Sequence, residues 1–278
     1  MTASHDDRAT PKGFIVRPNT LRSVWARGEA VVNGWLSIPS AFSAEVMAHQ
    51  GFDSLTVDMQ HGVVDYQTAV TMLQAIATTP VMPLARVPWN DPAIVMKTLD
   101  AGAYGIICPM INTAAQAEAL VQACKYPPRG YRSWGPVRAS IYAGGDYGDH
   151  ANDELIVMPM IETAEAVKNL DEILRVSGVD AVYVGPSDLS LALGLKPRLD
   201  QTDAEVVDAQ QRIVELCKRR GIAAGIHNAT AAYALKMISI GYQFVTLASD
   251  SRFMAAKAAD EVAAVRKTGV TAGKLPAY

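Results

Sequence analysis

Leu155-Ile-Val-Met-Pro-Met-Ile-Glu162 and Val179-Asp-Ala-Val-Tyr-Val-Gly-Pro-Ser-Asp188 are short apolar runs, each closed by a carboxylate. Runs of this length, rich in β-branched residues and bounded by turn formers, read as buried parallel strands. The segment between them carries apolar residues at helical spacing and stops at Gly178. Strand, helix, strand is the unit of an α/β fold. Carboxylates just past successive strands then converge on one mouth of the sheet, where a barrel keeps its chemistry.

The same unit repeats outward in both directions. Strands are expected over 31–38, 52–58, 81–86, 104–108, 155–160, 179–184, 221–226 and 242–248. Helices are expected over 44–50 (capped by Ser40 or Ser43), 65–77, from Pro92 to Gly102, 113–125, 163–175, 203–220, 229–240 and 251–267. Eight alternations predict a closed (β/α)8 TIM barrel, and the 278 residues suit one such domain, which takes roughly 250. No GxGxxG or GxxxxGK[ST] run points to a doubly wound open sheet instead. Residues 1–20, polar with two prolines, read as an N-terminal arm, and 21–278 as the barrel. Residues 126–154 interrupt the rhythm with Pro127, Pro128 and five glycines and show no helical period. They read as a long loop able to fold over the barrel or to reach a neighbouring subunit, with Arg132 either reaching the site or solvated.

Half the residues are hydrophobic and the net charge is −3, with acidic and basic residues interleaved. That supplies a large core and no basic surface for nucleic acid. No apolar run approaches the ~18 residues of a membrane span, and the start of the chain is too polar for a signal peptide. Cys108, Cys124 and Cys217 are odd in number and far apart, as reduced buried thiols would be. A soluble, cytoplasmic enzyme is the expectation.

Chemistry-bearing residues collect at the strand ends. Glu162 and Asp188 offer the oxygen pair that a hard divalent cation takes from a protein, with waters and substrate filling its octahedron; they would equally serve as helix N-terminal acids. Asp58 and His61 follow the second strand, spaced for a carboxylate to orient an imidazole that acts as general base or acid. Arg86 ends the third strand, where a guanidinium needs an anion: a substrate oxygen, or a salt bridge to Asp58 or Asp91. Gly185, Pro186 and Ser187 form a small-residue turn whose backbone N–H groups would suit a substrate carboxylate. Trp35 ends the first strand as pocket lining or core. His227, Asn228, Ser249 and Asp250 are rim residues by position alone.

Taken together these stretches resemble the HpcH/HpaI family of class II, metal-dependent pyruvate aldolases. The carrying segments are Gly34-Trp-Leu36, Gly51-Phe-Asp53, Asp58-Met-Gln-His-Gly62, Arg86-Val-Pro-Trp-Asn-Asp91, Tyr126-Pro-Pro-Arg-Gly-Tyr-Arg132, Ile161-Glu-Thr-Ala-Glu-Ala166 and Gly185-Pro-Ser-Asp-Leu-Ser190. They fall in the family's order across residues 30–265. The resemblance implies a barrel whose last helix is exchanged with a neighbour in a homohexamer. It implies Glu162 and Asp188 as ligands of Mg²⁺, Mn²⁺ or Co²⁺, and His61, paired with Asp58, as catalytic base. Arg86 would stabilise an enolate, the turn at Ser187 and Asp188 would hold the ketoacid carboxylate, and Trp35 would line the pocket. Two positions depart from the family pattern. Met160 stands where a glutamine is frequent, and Asp58-Met-Gln60-His61 lacks the second acid of Asp-Gly-Glu-His.

The expected reaction is reversible cleavage of a 4-hydroxy-2-ketoacid to pyruvate or hydroxypyruvate plus an aldehyde, through a metal-stabilised enolate. No lysine ends a predicted strand, which argues against a Schiff-base mechanism. The alternatives are a citramalyl- or malyl-CoA type lyase, a phosphoenolpyruvate-type mutase or C–C hydrolase, and a non-catalytic ketoacid-binding barrel.

Overall fold

The computed structural model describes residues 16–266. Its strands are β1 (Val31–Leu36), β2 (Ser54–Asp58), β3 (Met82–Arg86), β4 (Gly105–Cys108), β5 (Ile156–Ile161), β6 (Ala181–Val184), β7 (Ala223–Asn228) and β8 (Phe244–Leu247). All pair in parallel and in sequence order, and β8 closes onto β1. The sheet is a closed eight-stranded barrel, as the alternating pattern predicts. Its strands are buried almost throughout because side chains fill the inside and helices cover the outside.

The helices are α1 (Thr20–Ala26), α2 (Ala41–Ala48), α3 (Tyr66–Ile76), α4 (Pro92–Asp100), α5 (Ala114–Cys124), α6 (Val137–Ala143), α7 (Tyr147–Glu154), α8 (Ala164–Lys168), α9 (Leu170–Ile173), α10 (Pro186–Ala192), α11 (Ala204–Arg220), α12 (Ala231–Ile240) and α13 (Asp250–Arg266). Local chemistry sets their starts. Ser40, rather than Ser43, caps α2, its side chain accepting from the Ser43 N–H. Asp65 caps α3, Pro92 opens α4, and Thr113 with Gln116 forms a capping box on α5. The single helix expected over 163–175 is broken into α8 and α9 at Asn169, whose amide donates to Asn112 O at 2.9 Å.

The reading of 126–154 as an unstructured loop is corrected. The segment folds into α6 and α7 on the N-terminal side of the barrel, away from the mouth that bears the carboxylates. Arg132 neither reaches that mouth nor meets solvent. It is buried, paired with Asp100 at 2.6 Å and with the Tyr147 hydroxyl at 3.0 Å, and its guanidinium lies 4.4 Å from the Tyr126 ring centre. The period was invisible because both helices are short and gain their stability from this packing.

Residues 1–15, most of the expected arm, lie outside the described residues. Asn19 is buried and caps α1, and its amide bonds the carbonyls of Tyr104 and Glu154. The three cysteines are buried and unpaired. No described helix is long and apolar enough to cross a membrane. Helix α13 buries only Asp250 and leaves Phe253, Met254, Val262 and Val265 exposed.

Candidate active site

The carboxyl ends of the strands open onto a cavity of about 260 Å³. Trp35, His61, Arg86, Gly185, Pro186, Ser187 and Asp188 line it, drawn from β1, β3, the loop after β2 and the head of α10. Asp58 lies beneath Arg86 and is fully buried; Glu162 lies beneath Gly185 and is nearly so. Every residue expected at the site thus stands at one mouth of the barrel.

Asp58 and Arg86 are register partners on β2 and β3. Arg86 Nε donates to Asp58 Oδ1 at 2.8 Å and Nη2 to Oδ2 at 2.6 Å. The Trp35 indole N–H donates to the same carboxylate at 3.1 Å, as do the main-chain N–H groups of Gln60 and His61. Burial pushes the Asp58 carboxyl up, but the charge and hydrogen bonds of Arg86 outweigh it and hold it below the usual carboxylate range. The salt bridge of Arg86 is therefore to Asp58, while Asp91 caps α4. The guanidinium also lies 4.8 Å from the Trp35 ring centre. Nη1 is its one nitrogen without a hydrogen bond among the described residues.

His61 stands exposed at the rim. Partial burial lowers its pKa, and the nearby Arg86 charge acts in the same direction against the attraction of Asp58 and Asp188. A neutral imidazole at physiological pH, able to accept a proton, is the result.

Glu162 Oε1 accepts the Met110 N–H at 2.8 Å. Met110 adopts φ 57°, a conformation rare for a residue with a side chain, and it is this backbone that donates to Glu162. A Cβ at position 185 would collide with Glu162 Oε2, so glycine there keeps the approach to that oxygen open. Burial and the like charge of Asp188 raise the Glu162 carboxyl to about 7, against the pull of Met110 and Arg86. A buried carboxylate with a second carboxylate beside it is suited to share a cation with that neighbour. Among the described residues no cluster of three or more His, Cys, Asp or Glu is gathered for a metal. A hard cation that keeps water and substrate oxygens in its other positions asks for no more than this pair, so the donor set fits.

The Ser187 hydroxyl is buried against the cavity without a hydrogen-bond partner. Met160 lines the same wall, its methyl group against Gly185. Of the rim residues, Asn228 turns away to the Ile226 and Thr246 carbonyls. Asp250 ties the start of α13 to the chain after β1 by accepting from the Ser37 N–H and hydroxyl.

Sequence reasoning gave no part to Tyr183 and none beyond position to His227. Tyr183 is stacked under Trp35 at 5.6 Å, and its hydroxyl lies 2.9 Å from His227 Nδ1. Burial, assisted by Arg86, pushes His227 down to about 3 against the pull of Asp58 and the Ala248 main chain. The only sequence signal for either is strand position, with inward-facing residues alternating along β6 and β7. The outer wall of the cavity, Leu191, Pro197 and Leu199, lies in the stretch after β6, where periodicity carries no information.

Residues 30–256 match the family model described as HpcH/HpaI aldolase/citrate lyase. The chain is 41% identical to the hydroxypyruvate/pyruvate aldolase of Rhizorhabdus wittichii, over 89% of this chain and 99% of that one. It is 37% identical to the 4-hydroxy-2-oxo-heptane-1,7-dioate aldolase of Escherichia coli, over 94% of this chain and 99% of that one. Among solved structures, an HpcH/HpaI aldolase/citrate lyase family protein of Burkholderia cenocepacia superimposes with a TM-score of 0.84 at 31% identity, covering 89% of this chain and 99% of that one. With the barrel and the gathered strand-end residues, these matches show that the chain belongs to the HpcH/HpaI aldolase/citrate lyase family.

Proposed function

We propose that the protein is a class II aldolase that reversibly cleaves 4-hydroxy-2-ketoacids to pyruvate or hydroxypyruvate and an aldehyde. The observation that carries this reading is the meeting, at one cavity, of a fixed guanidinium, a carboxylate pair and a rim histidine. The two aldolase relatives named above support the same reaction class.

Glu162 and Asp188 are the residues that would hold a divalent cation, Mg²⁺, Mn²⁺ or Co²⁺ by ligand type. Such an ion acts as a Lewis acid that lowers the cost of an enolate. The remaining chemistry belongs to the chain. Backbone N–H groups at Ser187 and Asp188 hold the ketoacid carboxylate. Arg86, immobilised by Asp58, presents Nη1 to the oxygen that gains charge as the C3–C4 bond breaks. His61 takes the proton from the 4-hydroxyl, so that C4 leaves as the aldehyde and the bonding pair stays on C3. A proton returned to C3 completes pyruvate. Trp35 forms the wall under Arg86.

The uncovered apolar residues of α13 support exchange of this helix with a neighbouring subunit, and with it a homo-oligomer of the hexameric kind.

The test is aldol and retro-aldol turnover with pyruvate or hydroxypyruvate, after chelation and again after each metal is resupplied. Loss with chelator and recovery with metal is the expected result. Silence in both conditions sinks the aldolase reading. Light scattering with and without residues 250–278 tests the helix exchange, which fails if the truncated chain keeps its mass.

A further inference from the structure

Five side chains from the barrel interior form an unbroken line of hydrogen bonds that ends at the cavity. Ser54 and Thr56 hydroxyls donate to Asn33 Oδ1 at 2.8 and 3.1 Å. Asn33 Nδ2 donates to Thr246 Oγ1 at 3.0 Å, and the Tyr183 hydroxyl donates to the same oxygen at 2.8 Å. Tyr183 in turn meets His227 Nδ1 at 2.9 Å. Asn33, Ser54, Thr56, Tyr183 and Thr246 are all buried. His227, which is only partly so, ends the line, and it and Tyr183 both line the cavity.

Burying this many polar groups is costly unless each is satisfied, and here they satisfy one another. Their joint effect is to fix one imidazole. Tyr183 holds its Nδ1, and the Trp35 ring packs edge-on against it at 4.9 Å. The ring also borders the cavity and the Ala248 main chain. Burial, with the Arg86 charge acting the same way, opposes protonation, so the ring is neutral and suits an uncharged partner. Met160, Leu191, Pro197 and Leu199 supply the apolar part of the cavity wall.

We infer that His227 selects substrates by a hydroxyl group, acting as a fixed polar contact beside the apolar part of the cavity wall. A neutral imidazole has one donor and one acceptor nitrogen, and a hydroxyl pairs with either. A methyl or hydrogen in its place would forgo that hydrogen bond. The inference rests on the aldolase reading and adds the residue that sets its substrate preference. The hydroxyl belongs either to the donor ketoacid, as in hydroxypyruvate, or to the aldehyde, and the test separates the two.

One arm compares hydroxypyruvate with pyruvate as donor, with propanal as the fixed acceptor. The other compares glycolaldehyde with acetaldehyde, with pyruvate as the fixed donor. In each arm the readout is the ratio of kcat/KM values, hydroxylated over plain, with calorimetric Kd values of the two ketoacids as a readout free of turnover. His227→Leu should lower the ratio in one arm by about tenfold, and that arm names the substrate. Tyr183→Phe, which frees the ring, should move the same arm less. His227→Gln, which keeps a polar edge, should recover part of the loss. Should His227→Leu fail to fold, by circular dichroism, the other two variants carry the comparison. Ratios within twofold of the parent in both arms overturn the inference and leave the aldolase reading intact. No turnover by the parent on any pair removes the aldolase reading, and the inference with it.

Discussion

Arg86 meets Asp58 through two parallel hydrogen bonds, at 2.8 and 2.6 Å, across register-paired positions of adjacent strands. The carboxylate is fully buried and the guanidinium nearly so. The pair is therefore held by the barrel rather than by solvent, and the cavity receives a positive charge that does not move. Fixed charge of this kind is what electrostatic catalysis asks for, since no reorganisation is needed when the oxyanion forms.

Asp58→Asn should leave that guanidinium buried and uncompensated. Unfolding free energy should fall by about 3–5 kcal/mol, measured by denaturant titration. Acid unfolding should also change. A carboxyl held below its ordinary pKa contributes stability that is present above the unfolded value and lost as pH falls through the folded one. The variant should lack that part of the acid transition. An unchanged acid limb would show that the pair adds nothing to the fold.

Glu162→Ala and Asp188→Ala should each abolish metal-dependent turnover with the barrel still folded. Activity surviving in both, after chelation, would remove the cation from Glu162 and Asp188. Glu162 is raised to about 7 without a cation, so the metal-free fold loses stability as pH rises from the ordinary carboxyl range through 7. A cation that binds the ionised pair offsets this. Added Mg²⁺ or Mn²⁺ should thus raise Tm more at pH 8 than at pH 5.5. Equal shifts at the two pH values would contradict the assignment.

His61→Asn should lower kcat by roughly 10²–10⁴, the usual span for a general base. In the parent, kcat/KM should be lost as pH falls and the imidazole is protonated. Because burial and Arg86 lower this pKa, the acid limb should lie below the ordinary histidine value of 6.5. A limb at or above that value would assign the profile to another group.

His227 gives the opposite case to Glu162. Its pKa is pushed down to about 3, so its neutral form stabilises the fold. That contribution is full above the unfolded histidine value and is lost as pH falls below it toward the folded one. His227→Leu should therefore lose less stability than the parent between pH 6.5 and 4. Parallel stability curves for the two proteins would mean that the ring is more solvated than its packing suggests.

Arg132→Met tests the far end of the barrel. It leaves the partly exposed Asp100 without its partner and the Tyr126–Tyr147 site without its cation, at a cost of about 1–3 kcal/mol. KM values should stay at those of the parent, since Arg132 lies on the side opposite the mouth. A raised KM would bring residues 126–154 back to the site.

Much of this molecule is legible in one dimension. Eight apolar runs, each followed by a turn or cap, leave a parallel barrel as the arrangement that buries every run on both faces. Because all strands point one way, residues at their ends gather at one rim whatever the details of packing. That is why Asp58, His61, Arg86, Glu162 and Asp188 could be named from position and residue type. The helices α6 and α7 escaped notice because each is only two turns long and owes its existence to the pairing of Arg132 with Asp100 and Tyr147, which lie 32 and 15 residues from it in the chain.

What the chain order could not contain is which atoms face each other. The Arg86–Asp58 fork depends on the register of β2 against β3, and the Glu162–Gly185 approach on how the turn after β6 sits over the end of β5. The line from Ser54 through Asn33, Thr246 and Tyr183 to His227 crosses five strands. Periodicity records whether a side chain points inward, and so fixed the architecture and the rim. Hydrogen-bond direction and charge pairing act over about 3 Å between residues far apart in sequence, and only closure of the barrel brings them within that range.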